Sequence, residues 1–116
     1  MKLAIDYIEF ASADIAASRA FFEKAFGWSF TDYGPSYLAF NDAGIDGGIA
    51  AVEPPERQAA PPLVILYAEN LDAAEAAMRS AGGVVVVPQY DFPGGRRFHF
   101  REPGGNVLAV WSKREE

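Results

Sequence analysis

The chain has 116 residues, half of them hydrophobic and 14% aromatic, which is enough for one compact domain with a real core. Its net charge of −6 excludes the basic footprint of a nucleic-acid binder and suits a soluble, cytoplasmic protein. It has no cysteine, which removes disulfides, thiolate nucleophiles and Cys-bound metals, and no apolar run suits a signal peptide or membrane span.

In chain order, residues 4–11 alternate as a strand, with Ile8 and Phe10 on one face and Tyr7 and Glu9 on the other. Ser12 or Asp14 caps the helix that follows. Its expected apolar stripe is Ile15, Ala16, Ala20, Phe21 and Phe26. Gly27 ends that helix as a left-handed cap, and Trp28 packs at its end. Short strands are expected at 28–33, 37–41 and 48–52, separated by Gly34-Pro35 and the turn residues 41–44. The Pro-rich polar stretch 53–62 reads as an exposed linker.

The second half opens with a strand at 63–68 and a helix at 71–81, capped by Asn70 and stopped by Gly82-Gly83. Strands at 84–87, 96–101 and 107–112 complete it. Residues 91–95 are expected as a flexible loop, 102–106 as a tight hairpin, and 113–116 as a charged, frayed tail. The glycine doublets 47–48, 82–83, 94–95 and 104–105 read as turns, because none has the spacing and Lys of a phosphate-binding loop.

The two halves repeat one plan. A shift of 56 positions lays Asp14-Ile15 on Asn70-Leu71, Gly27 on Gly83, and strand 6–10 on 62–66. The expected fold is therefore α+β: two tandem βαβββ modules, 1–56 and 61–116, joined by the linker into a single domain. Together they would form a curved eight-stranded mixed sheet with both helices on the convex face and a cleft between the copies.

Strand alternation assigns the cleft lining. Ile8, Phe10, Leu38, Phe40, Val64, Leu66, Phe98, Phe100, Leu108 and Val110 belong under the helices. Their alternates Tyr7, Glu9, Tyr37, Leu63, Ile65, Tyr67, Arg97, His99, Arg101, Ala109 and Trp111 face inward. Tyr7, Tyr37, Tyr67, Arg97 and Trp111 are the candidate ligand-binding residues, because aromatic rings with a few polar groups make a small-molecule pocket. The rings could equally fill the concavity or a dimer interface. Glu9 and His99 are the candidate catalytic groups, as acid or base. The competing structural readings are a salt bridge from Glu9 to Arg97 or another strand cation, and a hydrogen-bonded histidine.

The segments IDYIEF…D…SRAFFEKAFGW, ILYAENLDAAEAAMRSAGG and FREPGGNVLAVW together resemble the vicinal oxygen chelate superfamily of glyoxalases, bleomycin-resistance proteins and extradiol dioxygenases. The resemblance covers nearly the whole chain, and it is to the small two-module members. It implies a homodimer whose cleft binds a small molecule. In metal-dependent relatives, ligands would fall on Tyr7, Leu63, Ala109 and a position near Val52 or Glu53. Leucine and alanine offer no donor atom, so neither a metal nor another cofactor is expected. Glyoxalase and dioxygenase chemistry, which need that metal, are disfavoured.

Three readings follow. The first is a metal-independent binder of an aromatic or amphipathic small molecule, with neither nucleic acid nor membrane as partner. The second is a metal-free lyase or isomerase with Glu9 as base. The third is a metal enzyme with ligands rearranged among Glu9, His99 and Glu53.

Overall fold

The computed structural model describes residues 1–53, 61–103 and 105–114. The chain divides into two compact units, Tyr7–Leu63 and Met1–Asp6 with Val64–Glu116. Most of the expected linker, residues 54–60, lies outside the described residues. Eight strands and two helices follow one another among the described residues, in the order βαβββ twice.

The first module contains β1 (Ile5–Ser12), α1 (Ile15–Phe26), β2 (Phe30–Asp32), β3 (Tyr37–Phe40) and β4 (Asp46–Ala51). The spatial order is β2-β3-β4-β1, with β1 parallel to β4 and the other pairs antiparallel. Asp14 is the helix cap, its carboxylate accepting the Ala17 N–H at 3.0 Å, while Ser12 bonds Ser18 at 2.7 Å. Gly27 closes the helix at φ 74°, a conformation that a side chain would resist.

Leu38, Phe40 and Ile49 are buried, and an aromatic stack continues from them toward the helix. Trp28 lies 4.9 Å from Phe40 and 4.8 Å from Phe22, nearly parallel to the latter, and Phe22 also stacks on Phe10. Trp28 is thus the packing residue that the sequence suggested. The helical stripe needs correction, because Phe21 and Phe26 are 58% and 59% exposed. At 100° per residue the inward face runs through Ile15, Ser18 and Phe22, and Phe21 points a quarter-turn away.

A second correction concerns the doublet Gly47-Gly48, which lies inside β4 as ladder residues and not in a turn: the strand expected at 48–52 includes Gly48 and begins earlier, at Asp46. Both are buried. A Cβ on Gly47 would strike the backbone carbonyl of Ile8 and the Phe40 ring. Glycine within a strand often marks such a close approach.

The second module contains β5 (Leu63–Tyr67), α2 (Leu71–Ser80), β6 (Val84–Phe92), β7 (Gly95–Arg101) and β8 (Val107–Lys113). Its order is β5-β8-β7-β6, with β5 parallel to β8. Ala68, Leu71, Ala74, Phe98 and Val110 form the core under α2, with Leu66, Met78, Val85 and Phe100 packed around them. Asn70 caps α2, accepting the Ala73 N–H at 2.9 Å.

Here the expected loop at 91–95 is overturned. β6 continues through Pro88 to Phe92, and Phe92 pairs with Gly95 across a tight turn. Two register shifts, between Val85 and Val87 and between Val87 and Tyr90, absorb the proline. β6 is also the last strand in its order, where a missing N–H is tolerated. Among the described residues no helix is long and apolar enough to cross a membrane.

The Gly47 contact generates a stability prediction. Gly47→Ala is expected to destabilise the chain by about 1–3 kcal/mol, since a backbone carbonyl cannot step aside as a side-chain tip can. Denaturant unfolding measures it, and an unchanged midpoint would contradict the packing described for β4.

Candidate functional site

Each module covers one sheet face with its helix and leaves its candidate side chains on the other. In the first, β4 lies between β3 and β1, with Gly48 opposite Ala39 on one side and Glu9 on the other. Having no side chain, Gly48 lets the Tyr37 ring lie across the strand, where a Cβ would meet the ring and its hydroxyl. Tyr37 thereby reaches β1. Its hydroxyl donates to Glu9 Oε2 at 2.9 Å and meets the Tyr7 hydroxyl at 2.7 Å. Tyr7, Glu9 and Tyr37, separate in the sequence, form one connected group.

Burial pushes the pKa of both phenols above the usual 10.0. The hydrogen bond between them raises Tyr37 further and partly offsets the rise at Tyr7, while the nearby Glu9 carboxylate raises both. Both tyrosines therefore remain protonated at neutral pH.

In the second module, Tyr67 and Trp111 meet edge to face at 4.9 Å between ring centres, and Phe92 lies 6.0 Å from Trp111. Arg97, paired with Trp111 across β7 and β8, has its guanidinium carbon 5.6 Å from the Tyr90 ring centre and 5.7 Å from that of Phe92. Its Nε donates to the Tyr90 hydroxyl, which also contacts His99 Nε2 at 3.1 Å. Four of the expected residues, Tyr67, Arg97, His99 and Trp111, therefore share a face.

Two expected lining residues do not present open surface: Ile65 is 2% exposed and Ala109 0%. They sit in one cross-strand row with His99.

Sequence reasoning missed three residues. Tyr90 and Phe92 carried a signal, the alternation in PQYDF, but Pro88 and the Pro93-Gly94 turn suggested that the strand had already ended. Asp6 carried none. It accepts the Trp111 indole N–H at 2.9 Å across 105 residues, which orients that ring.

A cavity of about 430 Å³ also opens in the second module, lined by residues that include Asp72, Gln89, Asp91 and Arg96. No candidate residue lines it. Its polar groups pair among themselves: Arg96 with Asp91 at 3.1 Å, and Gln89 with Asp72 at 2.9 Å.

Residues 4–110 match the sequence pattern of the Glyoxalase/Bleomycin resistance protein/Dioxygenase superfamily. The chain belongs to that superfamily. It is 27% identical over 126 aligned positions to "Anthracycline biosynthesis protein DnrV" of Streptomyces peucetius, covering 92% of this chain and 46% of that protein. The chain thus spans about half the length of that curated relative. Methylmalonyl-CoA epimerase from Mycobacterium tuberculosis matches 96% of this chain and 88% of its own, with TM-score 0.76 and 14% identity. A Mn(II)-bound glyoxalase from Novosphingobium aromaticivorans matches 97% of this chain and 41% of its own, with TM-score 0.65 and 19% identity. At such identities these structures establish the fold, which is the doubled βαβββ plan expected from the repeat.

A metal held at the superfamily's positions does not fit the residues present. Leu63 and Ala109 carry no donor atom, Ala109 is wholly buried, and the Tyr7 hydroxyl is engaged by Tyr37. Among the described residues, no three His, Asp or Glu side chains gather as a metal-binding group.

The raised phenol pKa values predict an alkaline effect. The unfolded chain releases these protons first, so the stability they contribute is complete below about pH 10 and is lost as pH rises above it. Phenolate absorbance should show Tyr7 and Tyr37 resisting ionisation as pH rises above the usual 10.0. Tyr37→Phe should flatten the alkaline fall in stability. An equal fall in variant and parent would contradict the assignment.

Proposed function

We propose that this superfamily member binds a planar aromatic small molecule without a metal, as one subunit of a homodimer. The observation that carries this reading is the face formed by Tyr67, Tyr90, Phe92, Arg97 and Trp111. Aromatic rings there offer a stacking surface, and a guanidinium held between two rings offers donors to a carbonyl or anionic substituent. The relative named for anthracycline biosynthesis supports the same ligand class, since anthracyclines are fused-ring aromatic molecules. The sequence resemblance to small two-module proteins supports the dimer.

A second reading rests on a different observation, the Tyr37 hydroxyl that donates to Glu9. A carboxylate held by a phenol is suited to proton transfer, which makes a metal-free lyase or isomerase with Glu9 as base the alternative. A Glu9→Gln variant that bound ligand normally but lost turnover would establish it, with His99 then a candidate second acid or base.

Tryptophan fluorescence tests the binding reading directly. Anthraquinone-2-sulfonate should quench Trp111, while Trp28, packed against Phe22 and Phe40, should respond less. Trp111→Ala and Arg97→Gln should each weaken binding about tenfold, the ratio produced by about 1.4 kcal/mol. Absence of binding at any soluble concentration, or unchanged affinity in both variants, would reject the reading.

A further inference from the structure

Every residue lining the cavity of about 430 Å³ belongs to one compact unit, and the topology of that unit explains where the cavity lies. β5 and β8 pair in parallel, so both strands end at the same edge of the sheet. Two hydrogen bonds hold those ends together. The Ala68 N–H donates to the Trp111 carbonyl at 2.9 Å, and the Ser112 hydroxyl donates to the Ala68 carbonyl. The segments that follow, 69–72 and 112–114, therefore enter one cavity. Open sheets characteristically hold ligands beyond the carboxyl ends of parallel strands. Leu71, Gly95 and Ser112 are the buried part of the lining, while its charged residues are exposed.

Those charges are sorted by segment. Glu69 and Asp72 come from the chain entering α2, and Lys113 and Arg114 from the end of β8. Asp91 and Arg96, the other charged residues of the lining, neutralise each other at 3.1 Å. Asp72 accepts an uncharged amide, that of Gln89, at 2.9 Å, and Arg114 donates to the Phe92 carbonyl at 3.0 Å. Both therefore keep a full charge. Among the described residues, neither Glu69 nor Lys113 has an ion-pair partner, and they do not pair with each other.

From this sorting we infer that the cavity binds a small zwitterion, an amino acid or short peptide, with its ammonium against Glu69 and Asp72 and its carboxylate against Lys113 and Arg114. A simple anion would meet two carboxylates, and a simple cation two basic groups. The N-terminus of α2 does not reverse this, because its partial positive charge is only about half a unit and two full negative charges flank it. A molecule carrying both charges satisfies both segments at once, and the cavity volume is in the range of small-molecule sites. The site shares no residue with the aromatic face, so it goes beyond the binding reading above and does not depend on it.

Amide chemical-shift titration with triglycine, its N-acetyl derivative and its C-terminal amide tests the inference, because each cap removes one charge. Triglycine should shift the amides of 69–72 and 112–114, and bind about fivefold more tightly than either capped form, the scale of an exposed ion pair. Glu69→Gln should erase the preference over the acetylated form and keep that over the amide. Lys113→Gln should do the reverse. Both side chains are exposed, so thermal unfolding should be unchanged in each variant. Glycine, titrated in parallel, separates the two sources: tighter binding than triglycine assigns the site to a free amino acid, weaker binding to a peptide. No saturable shift with any probe, equal affinity for free and capped forms, or variants that weaken every probe alike would overturn the inference.

Discussion

One helix per module is the constraint from which the rest follows. A four-stranded sheet has two faces, and α1 or α2 can cover only one of them. The covered faces carry Phe10, Phe40 and Ile49 in the first module, and Phe98 and Val110 in the second. The opposite faces carry side chains that are large, aromatic and hydrogen-bonded. In the first module these join as Tyr7, Tyr37 and Glu9, and in the second as Tyr90, Arg97 and His99. Strand alternation therefore makes a core and a candidate site from the same segments.

Glycine and proline decide the details. Gly47 and Gly48 adjoin in β4 but serve opposite faces, one making room for Phe40 and the other for Tyr37. A side chain at the first would strike the Ile8 carbonyl and the Phe40 ring, and one at the second would strike the Tyr37 ring and its hydroxyl. In β6, Pro88 offers the ladder no N–H, and the register shifts on either side of Val87 accommodate it. The two shifts together offset β6 against β7 by two residues, which restores the facing of its side chains, so Tyr90 lies opposite Arg97 and Phe92 opposite Gly95. Without that recovery the guanidinium of Arg97 would lack its two flanking rings.

The superfamily's metal chemistry depends on donors at a few strand positions, and here the sequence itself puts Leu63 and Ala109 at two of them. Substitution at such positions changes function while leaving the fold intact. A buried alanine in the row Ile65–Ala109–His99 now serves packing. The faces away from the helices carry aromatic rings and directed hydrogen bonds instead.

The sequence by itself determined the doubled βαβββ plan, the Asn70 cap, the pair Ser12 and Asp14 from which the other cap came, and the face on which most strand residues lie. These depend on periodicity and on residues within a few positions of each other, such as Asp14 with Ala17 and Asn70 with Ala73. It also placed Tyr7, Glu9 and Tyr37, and Tyr67, Arg97, His99 and Trp111, on faces away from the helices. Only the tertiary structure decided which of them touch. Tyr37 reaches Glu9 because a strand between them lacks a side chain, and Trp111 finds Asp6 from the far end of the chain. The same holds for Phe22 replacing Phe21 as the inward ring of α1, and for β6 running past its proline. Periodicity assigns a residue to a face, whereas contact depends on register between strands distant in sequence, and no local pattern encodes that register.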